Sequence, residues 1–311
     1  MAKQDDTIVI IGGGHAGIQL CGALVAAGAG HRVHLVCEEP ELPYHRPPLS
    51  KAFLKSTSTA PQLQRAAAWL EENGITVHRH DAALSIDRTR KVVALRSGGE
   101  LGYGHLVLAT GARPREVPGI SPALTNVAVL RTHGDALRVR ELIAGCTRLT
   151  IVGGGFIGLE VAATARSLGK QVCVLEGASR LLARAVSPEV SQHLLEAHRA
   201  SGVEVRLGVR VDTPIALHQR LQSIQVDGEC EPVDVLLLCV GAVPEISLAA
   251  AAGLHCDNGV VVDEHLVSSD PSILAIGDCA SFPSARGKQR LRLESVQNAS
   301  DQARCPRPTL L

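Results

Sequence analysis

Two strand–glycine loop–helix units of the same design, roughly 140 residues apart, constrain this chain more than any other feature of its sequence. The first runs from the β-branched stretch Thr7–Ile11 into Gly12-Gly13-Gly14-His15-Ala16-Gly17. A small-residue helical pattern follows to about Gly28, and then a second apolar stretch, Arg32–Cys37, closing on Glu38. The second unit runs from Leu149–Val152 into Gly153-Gly154-Gly155-Phe156-Ile157-Gly158, a helix to about Gly169, and Gln171–Leu175 closing on Glu176. Each is a βαβ unit, and together they form an internal repeat at the scale of a domain. Further apolar runs at Leu106–Ala109, Val235–Val240 and Ile273–Ile276 read as strands buried on both faces. The expected fold is α/β, with two Rossmann-like domains built on doubly wound parallel sheets.

The loops carry a chemistry. Gly12 permits the tight turn out of the strand, Gly14 lets the backbone approach a pyrophosphate, and Gly17 lets helix and strand pack together. Ala16 is counted with them among the cofactor-binding residues. The helix start then offers unpaired N–H groups and a positive dipole end to phosphate. Glu38 stands 21 residues after Gly17, where a carboxylate can accept both ribose hydroxyls. For a glycine turn taken alone, a tight loop without ligand is the alternative; strand, helix and terminal acid together favour a nucleotide. Gly153, Gly155 and Gly158 pass the same test, with Glu176 another 18 residues on. An acid there repels a 2′-phosphate and favours NADH over NADPH, although Arg180 stands nearby. Two such sites point to a hydride relay between FAD and NADH, with the cofactors supplying the reactivity.

Composition removes other classes. The 311 residues are ample for two domains, and 45% hydrophobic with 20% charged residues is no disordered composition. A formal net charge of zero gives no electrostatic footprint for nucleic acid or for an anionic membrane. No run reaches the ~18 apolar residues of a membrane span, and the opening MAKQDD is no secretory leader, so the expected location is cytoplasmic. Nine cysteines without CxxC or other metal spacing read as reduced thiols, with no metal site. No cysteine pair accompanies the first unit where disulfide reductases need one, so thiolate chemistry is not expected.

Four further stretches carry a likeness: LPYHRPPLSKAFL (42–54), ATGARPR (109–115), ILAIGDCASFP (273–283) and LRLESVQNASDQAR (291–304). With the two loops, the chain resembles the FAD-dependent NADH:ferredoxin reductases that serve P450 and ring-hydroxylating dioxygenase systems. The resemblance implies an iron–sulfur ferredoxin as partner and a split FAD domain, residues 1–111 plus 245–311, with an NAD(H) domain, 112–244, inserted in it. It implies catalytic roles for Lys51, beside the flavin ring, and Glu160, which pairs with that lysine near the nicotinamide. From the residues alone a solvated surface lysine is the alternative for Lys51, and Glu160 is merely a helical acid. Asp278 matches an aspartate on the ribityl chain, with a helix N-cap as the alternative. Ala83, Arg131 and Val296 match residues that touch FAD, and Gly241 a loop lining the NAD site.

The same resemblance implies a C-terminal domain after residue 304, where this chain reads CPRPTLL and the two prolines end the preceding helix. That domain is expected to be missing here, by truncation or a shifted frame. A non-catalytic dinucleotide-binding remnant, or an NADH oxidase leaking electrons to oxygen, are the alternatives to full reductase activity.

Overall fold

Leucine and β-branched side chains fill both faces of the parallel strands, and two sheets form around them. The computed structural model describes residues 6–285, 287, 289–305 and 310–311. Pro306 and Pro308, expected to end the last helix, lie outside the described residues. Ile8–Ile11 is buried along its whole length and lies at the centre of a five-stranded sheet. The order is Ile273–Ala275, His105–Leu108, Ile8–Ile11, Val33–Cys37, Thr76–Arg79, with every neighbour parallel. The second sheet repeats the plan: Val203–Leu207, Gln171–Glu176, Arg148–Val152, Val235–Leu238, Val127–Ala128, again all parallel. In each, the strand that feeds the glycine loop is central, the next strand lies on one side and a later strand on the other. The winding reverses there, and such reversals open a crevice beyond the carboxyl ends of the strands.

The duplication extends further than the loops. A three-stranded antiparallel meander precedes His105–Leu108, formed by Ala83–Asp87, Val92–Leu95 and Glu100–Gly102. Another precedes Val235–Leu238, formed by Val211–Leu217, Arg220–Val226 and Glu229–Pro232. Their outer strands are largely exposed, so they lack the continuous apolar runs that mark the parallel strands in the sequence.

The chain divides into two compact units, one of Met1–His45, Gln62–Arg113 and Val243–Leu311, the other of Arg46–Pro61 and Pro114–Ala242. The segment Arg46–Pro61, which chain order alone assigns to the first domain, therefore packs with the second unit. Arg140 donates to the carbonyls of Ser56 and Ser58. The His133 ring bonds the Thr59 carbonyl at 2.7 Å and meets the Phe53 ring edge-on at 5.2 Å. In the same unit Asn126 is fully buried, donating to the carbonyls of Leu221 and Asp234 and accepting from the Leu221 amide. Among the described residues no helix is long and apolar enough to cross a membrane, and no cluster of three or more acidic, histidine or cysteine side chains could hold a metal.

Candidate functional site

Steric facts separate the three glycines of each loop. Gly12 has φ +116°, and a Cβ on it would lie 2.2 Å from the carbonyl oxygen of Ala109. A Cβ on Gly17 would lie 2.1 Å from the Gly12 carbonyl oxygen. In the second loop Gly153, at φ +109°, meets the Cys239 carbonyl at 2.3 Å, and Gly158 meets the Gly153 carbonyl at 2.2 Å. The fold itself thus demands glycine at those four positions. Gly14 and Gly155 are different. Their φ values are −72° and −83°, which any residue adopts, and a Cβ on either would meet nothing within 4 Å. Nothing within the protein requires glycine there, so the space in front of each backbone fits an approaching ligand.

Both glycines are N-caps. The helices they open, His15–Ala26 and Phe156–Ser167, have no side-chain cap and no acid in the first turn. Their first N–H groups point out unpaired, a cradle for an anion. By contrast the helix His133–Gly145 is closed by a capping box between Thr132 and Asp135.

The two terminal acids behave differently. Glu38 follows its strand, is largely exposed, and pairs with Arg96 at 2.8 Å. Glu176 is the last residue of its strand and braces its own loop, accepting from the Gly154 amide at 2.5 Å and the Ala178 amide at 2.7 Å. Each carboxylate oxygen has a second lone pair, so Glu176 can still accept a ribose hydroxyl. Arg180 is occupied internally, donating to the carbonyls of Ala183 and Val186 and to Ser191 Oγ.

Lys51 and Glu160 do meet. Lys51 Nζ lies 2.8 Å from Glu160 Oε2 and 3.3 Å from the Pro47 carbonyl. Two residues that anchor this pair escaped the sequence reading. Ser50 Oγ donates to the same Glu160 oxygen at 2.5 Å, and Thr164 Oγ1 donates to the Ser50 carbonyl at 3.1 Å. Glu160 and Thr164 lie one turn apart on one helix face, so a single helix holds the Ser50-Lys51 backbone and its charge. The lysine side chain is half exposed, and an ion pair so placed contributes little to stability.

In the first unit Asp278 lies, half-buried, in a short 3-10 turn, Gly277–Cys279. Gly277 has φ +76°, and its missing Cβ would come within 2.9 Å of the Ala16 Cβ, so the Asp278 turn abuts the first turn of the loop helix. Gln302 Oε1 accepts the Gly277 N–H at 2.7 Å; neither Gln302 nor Arg96 was foreseen from the sequence. Val296 opens the helix Val296–Gln302 and is exposed. Ala83 is half-buried at the start of its meander strand. Arg131 and Gly241 belong to the second unit. The Arg131 carbonyl accepts from Arg46, while Gly241, at φ +94°, accepts from the Arg115 amide at 3.0 Å. Phe156, at the first turn of the second loop helix, is 58% exposed, an uncovered aromatic face beside Gly155 that the sequence reading passed over.

All nine cysteines are free. Burial pushes the Cys37 thiol, beside Gly13, and the Cys239 thiol, beside Gly153, up to about 12. Both are held as thiols, not thiolates.

Comparison with known proteins agrees with this geometry. The family described as pyridine nucleotide-disulphide oxidoreductase matches residues 6–303. Rhodocoxin reductase of Rhodococcus erythropolis is 43% identical over 96% of this chain and 70% of its own. Putidaredoxin reductase of Pseudomonas putida is 40% identical over 97% of this chain and 73% of its own. Among solved structures, a ferredoxin reductase from Rhodopseudomonas palustris superposes with a TM-score of 0.93 at 42% identity, covering 98% of this chain and 76% of that one. The covalent putidaredoxin reductase–putidaredoxin complex gives 0.92 at 39% identity, covering 98% and 75%.

Proposed function

Because the chain belongs to the pyridine nucleotide-disulphide oxidoreductase family, in its ferredoxin-reductase branch, we propose that it is a flavoprotein that accepts a hydride from NADH and passes electrons to an iron–sulfur ferredoxin of an oxygenase system. The observation that carries this reading is the pair Gly14 and Gly155, which face open space while their loop partners are fixed by close backbone contacts. FAD belongs to the first loop, and bound there it supplies the ability to take electrons as a pair and release them singly.

The protein's own part is binding and charge. Residues 1–111 with 245–311, less the Arg46–Pro61 segment that packs with the other unit, form the FAD domain, in which Gly12, Gly14, Ala16 and Gly17 cradle the pyrophosphate and Glu38 and Asp278 accept hydroxyls. Ala83 and Val296 line the same cofactor. Residues 112–244 form the NAD(H) domain, through Gly153, Gly155, Gly158, Glu176 and Gly241. Two observations favour NADH over NADPH: the Glu176 carboxylate ends the strand beside the second glycine loop, and Arg180 is committed to internal carbonyls. Glu160 holds the Lys51 ammonium in place for hydride transfer, with Ser50 fixing the carboxylate. The thiols take no part. NADH as donor and nine unpaired cysteines fit a cytoplasmic setting.

The partner is proposed by likeness to relatives whose names join them to rhodocoxin and putidaredoxin. An anaerobic titration of the purified flavoprotein with NADH tests the reading: the visible flavin band bleaches, and oxidised ferredoxin restores it. Protein that holds FAD yet never bleaches sinks the electron-transfer claim. In the same assay Glu160→Gln keeps its FAD but is reduced on the order of ten- to a hundredfold more slowly, the scale of a misplaced reacting group.

A further inference from the structure

The chain that leaves the strand Gln171–Glu176 is fastened to the second glycine loop. The Leu182 N–H donates to the Gly154 carbonyl at 3.1 Å, and a Cβ on Gly154 would lie 2.5 Å from Leu181 Cδ2. Leu181 and Leu182 are both buried. Arg180 ties the segment together through the carbonyls of Ala183 and Val186 and through Ser191 Oγ. Ser191 Oγ in turn donates to the Leu181 carbonyl at 2.5 Å. Leu182 sits at φ +50°, a left-handed conformation that a bulky side chain seldom adopts. Strain of that kind persists where the surroundings fix a loop that must present a group.

The group presented is Arg184. It is exposed and makes no hydrogen bond or ion pair to another described residue. Its Nη2 lies 3.6 Å from where a Cβ on Gly241 would stand. Gly241 follows the strand Val235–Leu238, and Cys239, between them, touches Gly153. The strands Gln171–Glu176 and Val235–Leu238 flank Arg148–Val152 on opposite sides. The Arg184 side chain therefore starts from the chain beyond one flanking strand and ends at the chain beyond the other, across the mouth of the glycine loop. Behind it stand the unpaired N–H groups of the helix Phe156–Ser167. Guanidinium and helix start are both positive and face one space, an arrangement that repels itself unless an anion lies between them.

We propose that Arg184 is a cofactor-binding residue whose guanidinium pairs with the diphosphate of NADH, closing from outside the anion site that the Gly155 helix start forms from within. This rests on the assignment of NADH to the second loop. A guanidinium fork suits two phosphate oxygens. A 2′-phosphate is the less fitting anion, because Glu176 ends the strand on the far side of the loop from Gly241. The two arginines thus divide the work, Arg180 holding the segment rigid and Arg184 carrying its free charge to the ligand.

The oxidised, FAD-loaded full chain, which cannot turn over with an oxidised nucleotide, is titrated calorimetrically with NAD+, NADP+ and ADP-ribose at low and at physiological salt. Arg184→Gln is expected to bind NAD+ and ADP-ribose on the order of tenfold more weakly than the parent, the loss of a charge-assisted hydrogen bond. It should also lose most of the salt dependence of that binding, which Arg184→Lys should retain. Because the side chain is exposed, Arg184→Gln should melt with the parent. Binding of NAD+ by Arg184→Gln within about twofold of the parent overturns the proposal. So does a loss confined to NADP+, which would assign the cation to a 2′-phosphate, and so does a loss that only follows a lowered melting temperature. A parent that binds neither NAD+ nor ADP-ribose sinks the reading of the second loop itself, a different result from parent and variants that bind alike.

Discussion

Glycine's role at each loop position is decided by what surrounds it, and this separates binding from folding at single residues. A methyl group on Gly14 meets nothing, whereas one on Gly17 is driven into the Gly12 carbonyl at 2.1 Å. Gly14→Ala should change the stability of the FAD-free protein by less than about 1 kcal/mol and abolish FAD binding. Gly17→Ala should lower that stability by about 3 kcal/mol. Denaturant melts without cofactor, paired with FAD titrations, check both, and a Gly14→Ala protein that binds FAD normally would remove the nucleotide from that space. The glycines were legible in the sequence because their spacing follows from backbone geometry. The partners were not. Ser50 bonds both Glu160 and Thr164 across more than a hundred residues of chain, and no local pattern marks such contacts. Glu176 shows the limit from the other side: its position was read correctly, but its engagement with the Gly154 and Ala178 amides depends on how the loop folds back.

Elements divide in the same way. The buried parallel strands announce themselves as continuous apolar runs, and each loop helix ends just before the glycine expected to close it, Gly28 and Gly169, both at positive φ. The meanders were hidden because their solvent-facing strands mix polar and apolar side chains. The association of Arg46–Pro61 with the second unit was hidden too, since proximity in the chain favours the first. That association depends on Phe53, which is 7% exposed, lies against His133 and carries the Arg140 guanidinium 5.0 Å above its ring. Phe53→Ala should cost about 3 kcal/mol. Hydrogen exchange reads it as lost protection in Arg148–Val152 and its sheet neighbours, and unchanged exchange there would show that the segment is only laid against the unit.

For the molecule as a whole, pH acts through desolvated histidines. Burial lowers the proton affinity of His15, His34, His78, His105 and His198 below the ordinary value of 6.5. A neighbouring histidine adds to the effect at His15 and His34, the latter stacked on His78 with ring centroids 5.3 Å apart. Below that value the unfolded chain binds more protons than the folded one, so stability rises with pH. The contribution is fully present above 6.5 and is lost as pH falls through the lowered folded values. Melting temperature should therefore drop between about pH 7.5 and pH 5.5, before the carboxylates titrate; a flat profile there would contradict it. The close approach that fixes each loop has a further consequence for how the protein is made. Gly12 takes its shape against the Ala109 carbonyl, and its surroundings are finished only by Gly277 and Gln302, whereas Gly153 needs nothing later than Cys239. During synthesis the later loop is thus the first to have all its parts, and the loop that leaves the ribosome first is the last to be completed.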